Sequence, residues 1–428
     1  MKVPKELQQL NSILKSNPEV YEMLSEFGRC IFFSENGVLT QSWEAREKAY
    51  HFNATLGEAQ SNKKTLYSKE LHESLSGFGP EEIYPYAPPA GLKELREHWL
   101  EKMLNENPSM ANMDLSLPIV TTGLTHGLSL AADLFLDPGD PVVVHDKHWE
   151  NYELIFEVRG NNTLNPYPTF TEGGFNVPAM ENRILSLKSG KVFVVLNFPN
   201  NPTGYTPTRA EAFEIARALK RCAERGKKLV VLCDDAYYGF WYAEDCIHES
   251  IFGLIADLHP SILTIRVDGA TKEAFAGGFR VGFITYGGKS KEVLSALEKK
   301  TTGAIRAFIS SSSHPSQSIL LKGLKSDEYR REMKYNHALL CQRGREVMAL
   351  CRIGSRKKLW EPYPYNSGYF LCIKVNKNAA MVRQYLLSHY GIGVIACSEE
   401  DIRISVPCIE IEHLREFFAV LDDAVENA

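Results

Sequence analysis

No stretch of this sequence holds the roughly 20 uninterrupted apolar residues that a membrane-spanning helix needs, and its opening, MKVPKELQQLNSILKSNPEV, has no apolar run of signal-peptide length. The expectation is a cytoplasmic protein without a membrane partner. Nor is there a block of Lys and Arg: 48 basic and 53 acidic residues are interleaved to a formal net charge of −5, which argues against a nucleic-acid partner. The nine cysteines (Cys30, Cys222, Cys233, Cys246, Cys341, Cys351, Cys372, Cys397, Cys408) include no CxxC pair and are odd in number. Neither a zinc site nor a disulfide framework is indicated, so no metal is expected and the thiols should be reduced and mostly buried. Internal repeats, low-complexity tracts and Ser/Gly-rich linkers are missing too, which implies parts that pack closely.

What is present is the composition of an ordinary globular protein, 44% hydrophobic and 24% charged, over 428 residues. That length exceeds one core of usual size and predicts two domains. From about residue 120 to 300, short β-branched runs (PIVTT, PVVVHD, KVFVVLNFP, KLVVLCDDAY, SILTIRVD, GFRVGFITYG) alternate with helical stretches such as THGLSLAADLFLD and TPTRAEAFEIARALKRCAERGK. Such alternation predicts an α/β fold with a mainly parallel sheet covered by helices. The chain ends carry amphipathic helices around the short strands YFLCIKV and DIRISV. The expected division is a large domain over 52–312 and a smaller α+β domain formed by 1–51 and 313–428.

Function on such sheets collects on the loops after the strands. Those loops carry TTGLTHGL, HWENY, NFPNNPTG, CDDAYYGF, TKEAFAGGFRVG and RISV. In this order and spacing, from NATLGEA near residue 55 to RISV near 405, the chain resembles the aspartate aminotransferase-like enzymes, the class I/II aminotransferases dependent on pyridoxal phosphate (PLP). The resemblance implies fold type I: a large domain with a mainly parallel seven-stranded sheet and a smaller α+β domain.

Lys272 matches the family lysine that carries the cofactor as a Schiff base and, once released, shuttles the substrate proton. The cofactor's pyridine nitrogen needs a carboxylate partner. Asp234 with Tyr237 is the favoured pair, because Ala236, Gly239 and Phe240 then also match; Asp235 with Tyr238 is the rival register. Strand alternation lets only one pair face the ring. Tyr237 and Asn201 match the residues that contact the phenolic oxygen, and Trp149 the aromatic that stacks on the ring. Leu124 and Thr125, at a predicted helix N-terminus, and Arg280 are the expected phosphate ligands. Tyr86 resembles the tyrosine that reaches the phosphate of the neighbouring subunit, which implies a homodimer with shared active sites. Gly269 departs from the pattern: many family members have a phosphate-binding Ser three before the lysine, and Thr271 lies on a different side of the loop. Lower cofactor affinity is the expectation.

For substrate, Arg403 matches the arginine that clamps the α-carboxylate, Gly57 the backbone position lining the pocket, and Arg306 the arginine that binds a distal carboxylate across the dimer interface. The implied reaction is transfer of an amino group from an L-amino acid to a 2-oxo acid, ping-pong through pyridoxamine phosphate. Aspartate and glutamate are favoured, with aromatic amino acids as a second class. The alternatives are another enzyme of the same fold, such as a β-lyase, decarboxylase or synthase, and a PLP-binding regulatory domain.

Overall fold

The computed structural model describes residues 4–32, 37–172, 174–352 and 359–428. Its main sheet is built from eight strands: β1 (Asp114–Leu115), β2 (Ile119–Thr122), β3 (Pro141–His145), β4 (Thr163–Tyr167), β5 (Lys191–Asn197), β6 (Lys228–Asp234), β7 (Ile262–Gly269) and β8 (Val281–Gly288). The spatial order is β1/β2, β8, β7, β6, β5, β3, β4, because β1 and β2 pair with successive parts of β8. Eight strands therefore fill seven positions, where seven strands were expected. Only β8 runs against its neighbours; the pairs from β7 to β4 are all parallel.

Alternation along each strand feeds two cores. On β5, Val192, Val194 and Leu196 face one cluster and Phe193 and Val195 the other, as strand geometry requires. The helix Arg209–Glu224 covers the first face and the helix Leu124–Phe135 the second. The former begins where its sequence says it should. Thr208 Oγ1 accepts from the Glu211 N–H, the Glu211 carboxylate accepts from the Thr208 N–H at 2.7 Å, and Gly226 takes the positive φ of the turn that follows the helix.

A four-stranded antiparallel sheet forms the second unit: β9 (Trp360–Pro362), β10 (Phe370–Val375), β11 (Ile395–Ala396) and β12 (Asp401–Ser405), in the order β9, β10, β12, β11. The helices Ala379–Tyr390 and Leu414–Asn427 pack on it around their own buried cluster. Phe52 and Ala54 join this cluster, whereas Ile319 and Leu320 join the larger core. The helices His314–Lys325 and Asp327–Cys351 are divided at Ser326, whose Oγ accepts from the Tyr329 N–H and starts the second of them. All nine cysteines are free; four are buried, and Cys30 and Cys397 are exposed. Among the described residues, no helix is long and apolar enough to cross a membrane.

Candidate active site

The carboxyl ends of the central strands lie level, with Asn197 beside Asp234 and Asp234 beside Val267. A chain leaving a parallel strand turns back through a loop, so the predicted residues from several distant segments meet at this edge.

Lys272 sits in the short helix Ala270–Glu273 directly after β7, and its Nζ donates to the Gly57 carbonyl. Its ammonium lies 6.0 Å from the Tyr237 ring centroid. Burial pulls the amine down to about 8, against the Glu58 charge that favours the ammonium, while the charges of Arg280 and Arg403 pull the same way as burial.

Asp234 closes β6 on one face of the sheet. Its carboxylate accepts from the Tyr152 hydroxyl at 2.5 Å and from the Ala236 N–H at 3.2 Å. Burial pushes this carboxyl up to about 6, although the Tyr152 hydrogen bond favours the anion. Asp235 points to the other face, where the Arg266 Nε donates to it at 2.5 Å and Arg266 also meets Asp268 at 3.0 Å. The rival register is thus committed to a buried ion pair. Trp149 is half-buried and meets Tyr152 edge-on, with centroids 5.8 Å apart. Tyr152 was not singled out from the sequence; its place one helical turn after Trp149 was the available signal.

Arg403, on β12 of the second unit, donates through Nη1 to Asn201 Oδ1 at 3.2 Å and through Nη2 to the Thr55 carbonyl at 3.3 Å. The guanidinium lies 4.2 Å from the Phe370 ring centroid. Its Nε is buried without a partner. A buried orphan donor on a charged group is costly unless something is meant to occupy it.

The helix Leu124–Phe135 begins at Gly123, which has φ 75°. A Cβ there would fall 2.3 Å from Arg280 Nη2, so glycine is required both by the conformation and by the guanidinium lying over it. Leu124 and Thr125 form the first turn of the helix, where backbone N–H groups have no intrahelical acceptor. Gly282 approaches as closely, since a Cβ on it would meet Leu124 N at 2.9 Å and Gly123 C at 2.7 Å. This packing accounts for Gly269. A Cβ at 269 would lie 2.7 Å from both Gly282 Cα and Val281 O, which leaves no room for a serine. Gly269→Ser is accordingly expected to lower stability by about 1–3 kcal/mol through overpacking, seen as a lower Tm, without tightening phosphate binding; an unchanged Tm with tighter binding would contradict this.

Two predicted residues stand apart from the others within one chain. Tyr86 is 91% exposed, and Arg306 is exposed in the last turn of the helix Lys291–Phe308. The helix that follows the Arg306 helix meets the Tyr86 segment, where the His314 ring bonds the Pro85 carbonyl at 2.8 Å.

The family model for class I and II aminotransferases matches residues 79–421. The chain belongs to the class I and II aminotransferase family. It is 33% identical over 212 residues to the aspartate/prephenate aminotransferase of Thermus thermophilus, covering 50% of this chain and 50% of that protein. It is 25% identical to a probable N-acetyl-LL-diaminopimelate aminotransferase of Bacillus subtilis, over 78% of this chain and 83% of that one. The matched region spans about half the length of the first of these relatives. Among solved structures, an aminotransferase from Anaerococcus prevotii superposes with a TM-score of 0.82 over 95% of this chain and 100% of its own, at 24% identity. The fold of this family member is thereby that of the fold type I aminotransferases.

Proposed function

We propose that this chain is a PLP-dependent aminotransferase that moves an amino group from an L-amino acid to a 2-oxo acid, with aspartate and glutamate preferred. The observation that carries the reading is the buried Lys272 amine, lowered to about 8 and influenced by the charges of Arg280 and Arg403. The surrounding residues fit the cofactor: a buried amine for its aldehyde, a glycine cradle under Arg280 for its phosphate, and a buried carboxylate for its ring nitrogen. Lys272 would hold the aldehyde carbon, Asp234 the ring nitrogen, Tyr237 and Asn201 the phenolic oxygen, and Trp149 the ring face. Leu124, Thr125 and Arg280 would hold the phosphate, joined by Tyr86 from a second copy of the chain. When bound, the cofactor supplies an electron sink for the substrate α-carbon.

The protein's own part is placement and proton handling. An amine near 8 keeps a useful neutral fraction around neutral pH, so Lys272 can take the proton from the α-carbon and give it back. The Arg403 Nε is the donor left for an α-carboxylate, and Phe370 and Asn201 hold the guanidinium in place. Gly57, against Lys272 Nζ, keeps the pocket wall free of a side chain. Tyr84 beside Tyr86 in sequence, and Phe308 and Ile309 just after Arg306, are exposed large apolar side chains of the kind that a homodimer sharing its sites would cover.

The test is to load the purified protein with cofactor, add single amino acids (aspartate, glutamate, tyrosine, alanine, lysine) without an acceptor, and quantify products. One equivalent of 2-oxo acid per site is expected from aspartate or glutamate. Release of ammonia or carbon dioxide instead would turn the reading to a lyase or decarboxylase of the same fold. In the same assay, Arg306→Ala should cost roughly 2–4 kcal/mol in kcat/KM for aspartate, as for one partner of a charge-assisted pair, and leave phenylalanine nearly unaffected. Equal losses on both would remove the dicarboxylate preference.

A further inference from the structure

Behind the segment that carries Lys272, on the opposite face of the sheet, lies a cleft of about 810 Å³ that the site above does not use. That volume falls in the range of small-molecule pockets, about 300–1,000 Å³. One wall is the end of the helix Lys93–Glu106 and the other the first half of the helix Asp327–Cys351. At its floor Lys102 is shared by two carboxylates, Glu106 at 2.6 Å and Glu273. Glu273 directly follows Lys272 and is nearly buried, and its carbonyl is bonded by the His337 ring at 2.9 Å. One ammonium between two carboxylates leaves an excess negative charge at the floor, which a second cation would neutralise.

The rest of the lining is different in kind. Tyr238 and Trp241 meet edge-on at 5.1 Å, and with Tyr329 and Met333 they form an apolar wall. At the rim, Arg330 is paired to Asp327 at 2.7 Å and Lys325 is paired to Glu94, while the Lys334 side chain makes no ion pair among the described residues. The cleft therefore offers an anionic floor, an aromatic wall and a free cation at its mouth.

We propose that this cleft is a second binding site for a zwitterionic amino acid with an apolar or aromatic side chain. The ligand's ammonium goes to Glu106 and Glu273, its carboxylate to Lys334, and its side chain to Tyr238 and Trp241. The assignment rests on the cleft's own charges and shape and on none of the roles proposed for the front site.

Isothermal titration calorimetry with L-phenylalanine tests it, in an Arg403→Ala background whose front site lacks its carboxylate clamp. One saturable event per chain is expected. 3-Phenylpropionate, which lacks the ammonium, and 2-phenylethylamine, which lacks the carboxylate, should each bind at least about tenfold more weakly, as should phenylalanine after adding Lys334→Glu or Glu106→Gln. Lys334 is exposed, so its change reads binding without disturbing the fold. No saturable binding in this background, or binding indifferent to both the ligand's charges and Lys334→Glu, would overturn the proposal.

Discussion

Lys272→Ala is expected to abolish amino-group transfer, with kcat falling on the order of 10⁵-fold, the scale seen when a residue that is both attachment point and base is removed. Lys147, another lysine on these loops, is not placed to take over, because Asp401 holds it at 2.6 Å and keeps it charged. A second readout needs no turnover. In cofactor-free protein, reductive alkylation of Lys272 by a small aldehyde should rise with pH through about 8, well below the ordinary lysine range. Peptide mapping of the alkylated lysine measures this. Stability should follow the same group. Between about 8 and the ordinary lysine value the unfolded chain binds more protons at this position than the folded chain, so the Lys272 contribution to stability rises with pH across that window and is most unfavourable below it. Lys272→Ala should flatten that rise. Alkylation that rose only in the ordinary lysine range, or full activity in the variant, would remove Lys272 from the role proposed for it.

How much of this was legible in the sequence depended on whether the signal was local. The strands β3, β5, β6, β7 and β8 and the helices with marked caps were readable because periodicity and capping chemistry are written within one element. Strand β4 was not predicted: its sequence, TLNPY, carries Asn165 and Pro166, and a proline is tolerated there because the strand lies at the sheet edge. Strands of two or three residues, β1, β9 and β11, exist through their partners and have no period of their own. The same distinction applies to the site. Motif residues such as Lys272 and Arg403 stood out singly, whereas what supports them comes from elsewhere in the chain: Phe370 beneath Arg403, Thr55 as its acceptor, Tyr152 on Asp234. The reason for Gly269 was equally hidden, because it lies in backbone packing against Gly282 and the turn at Gly123.

The aspartate register gives the second large effect, and here structure and function separate. Asp234→Asn should cut kcat by roughly 10³-fold or more, since an amide cannot hold a proton on a ring nitrogen as a carboxylate does and the loss resembles removal of a charge from a preorganised site. Its folded stability should hold or increase. Burial raises the Asp234 carboxyl to about 6, so the unfolded chain is ionised while the folded chain still holds its proton between the ordinary Asp value and 6. Stability from this group is therefore lost as pH rises through that window, and above it a buried charge, held by hydrogen bonds from Tyr152 and Ala236, is carried at a desolvation cost that asparagine does not have. Asp235→Asn should do the reverse. It strips Arg266 of the carboxylate 2.5 Å away and leaves that buried guanidinium with Asp268 alone, at a cost of about 3 kcal/mol or more, as for other broken buried pairs. Its Tm should fall while kcat per folded molecule, measured below the transition, stays within a few-fold. Thermal unfolding and single-turnover rates on the two variants decide the matter together: a collapse of kcat confined to Asp235→Asn would move the ring-nitrogen partner to the other face of the sheet. That outcome would require Tyr238, now lying beneath Arg266 with its ring centroid 4.7 Å from the guanidinium, to take the place proposed for Tyr237.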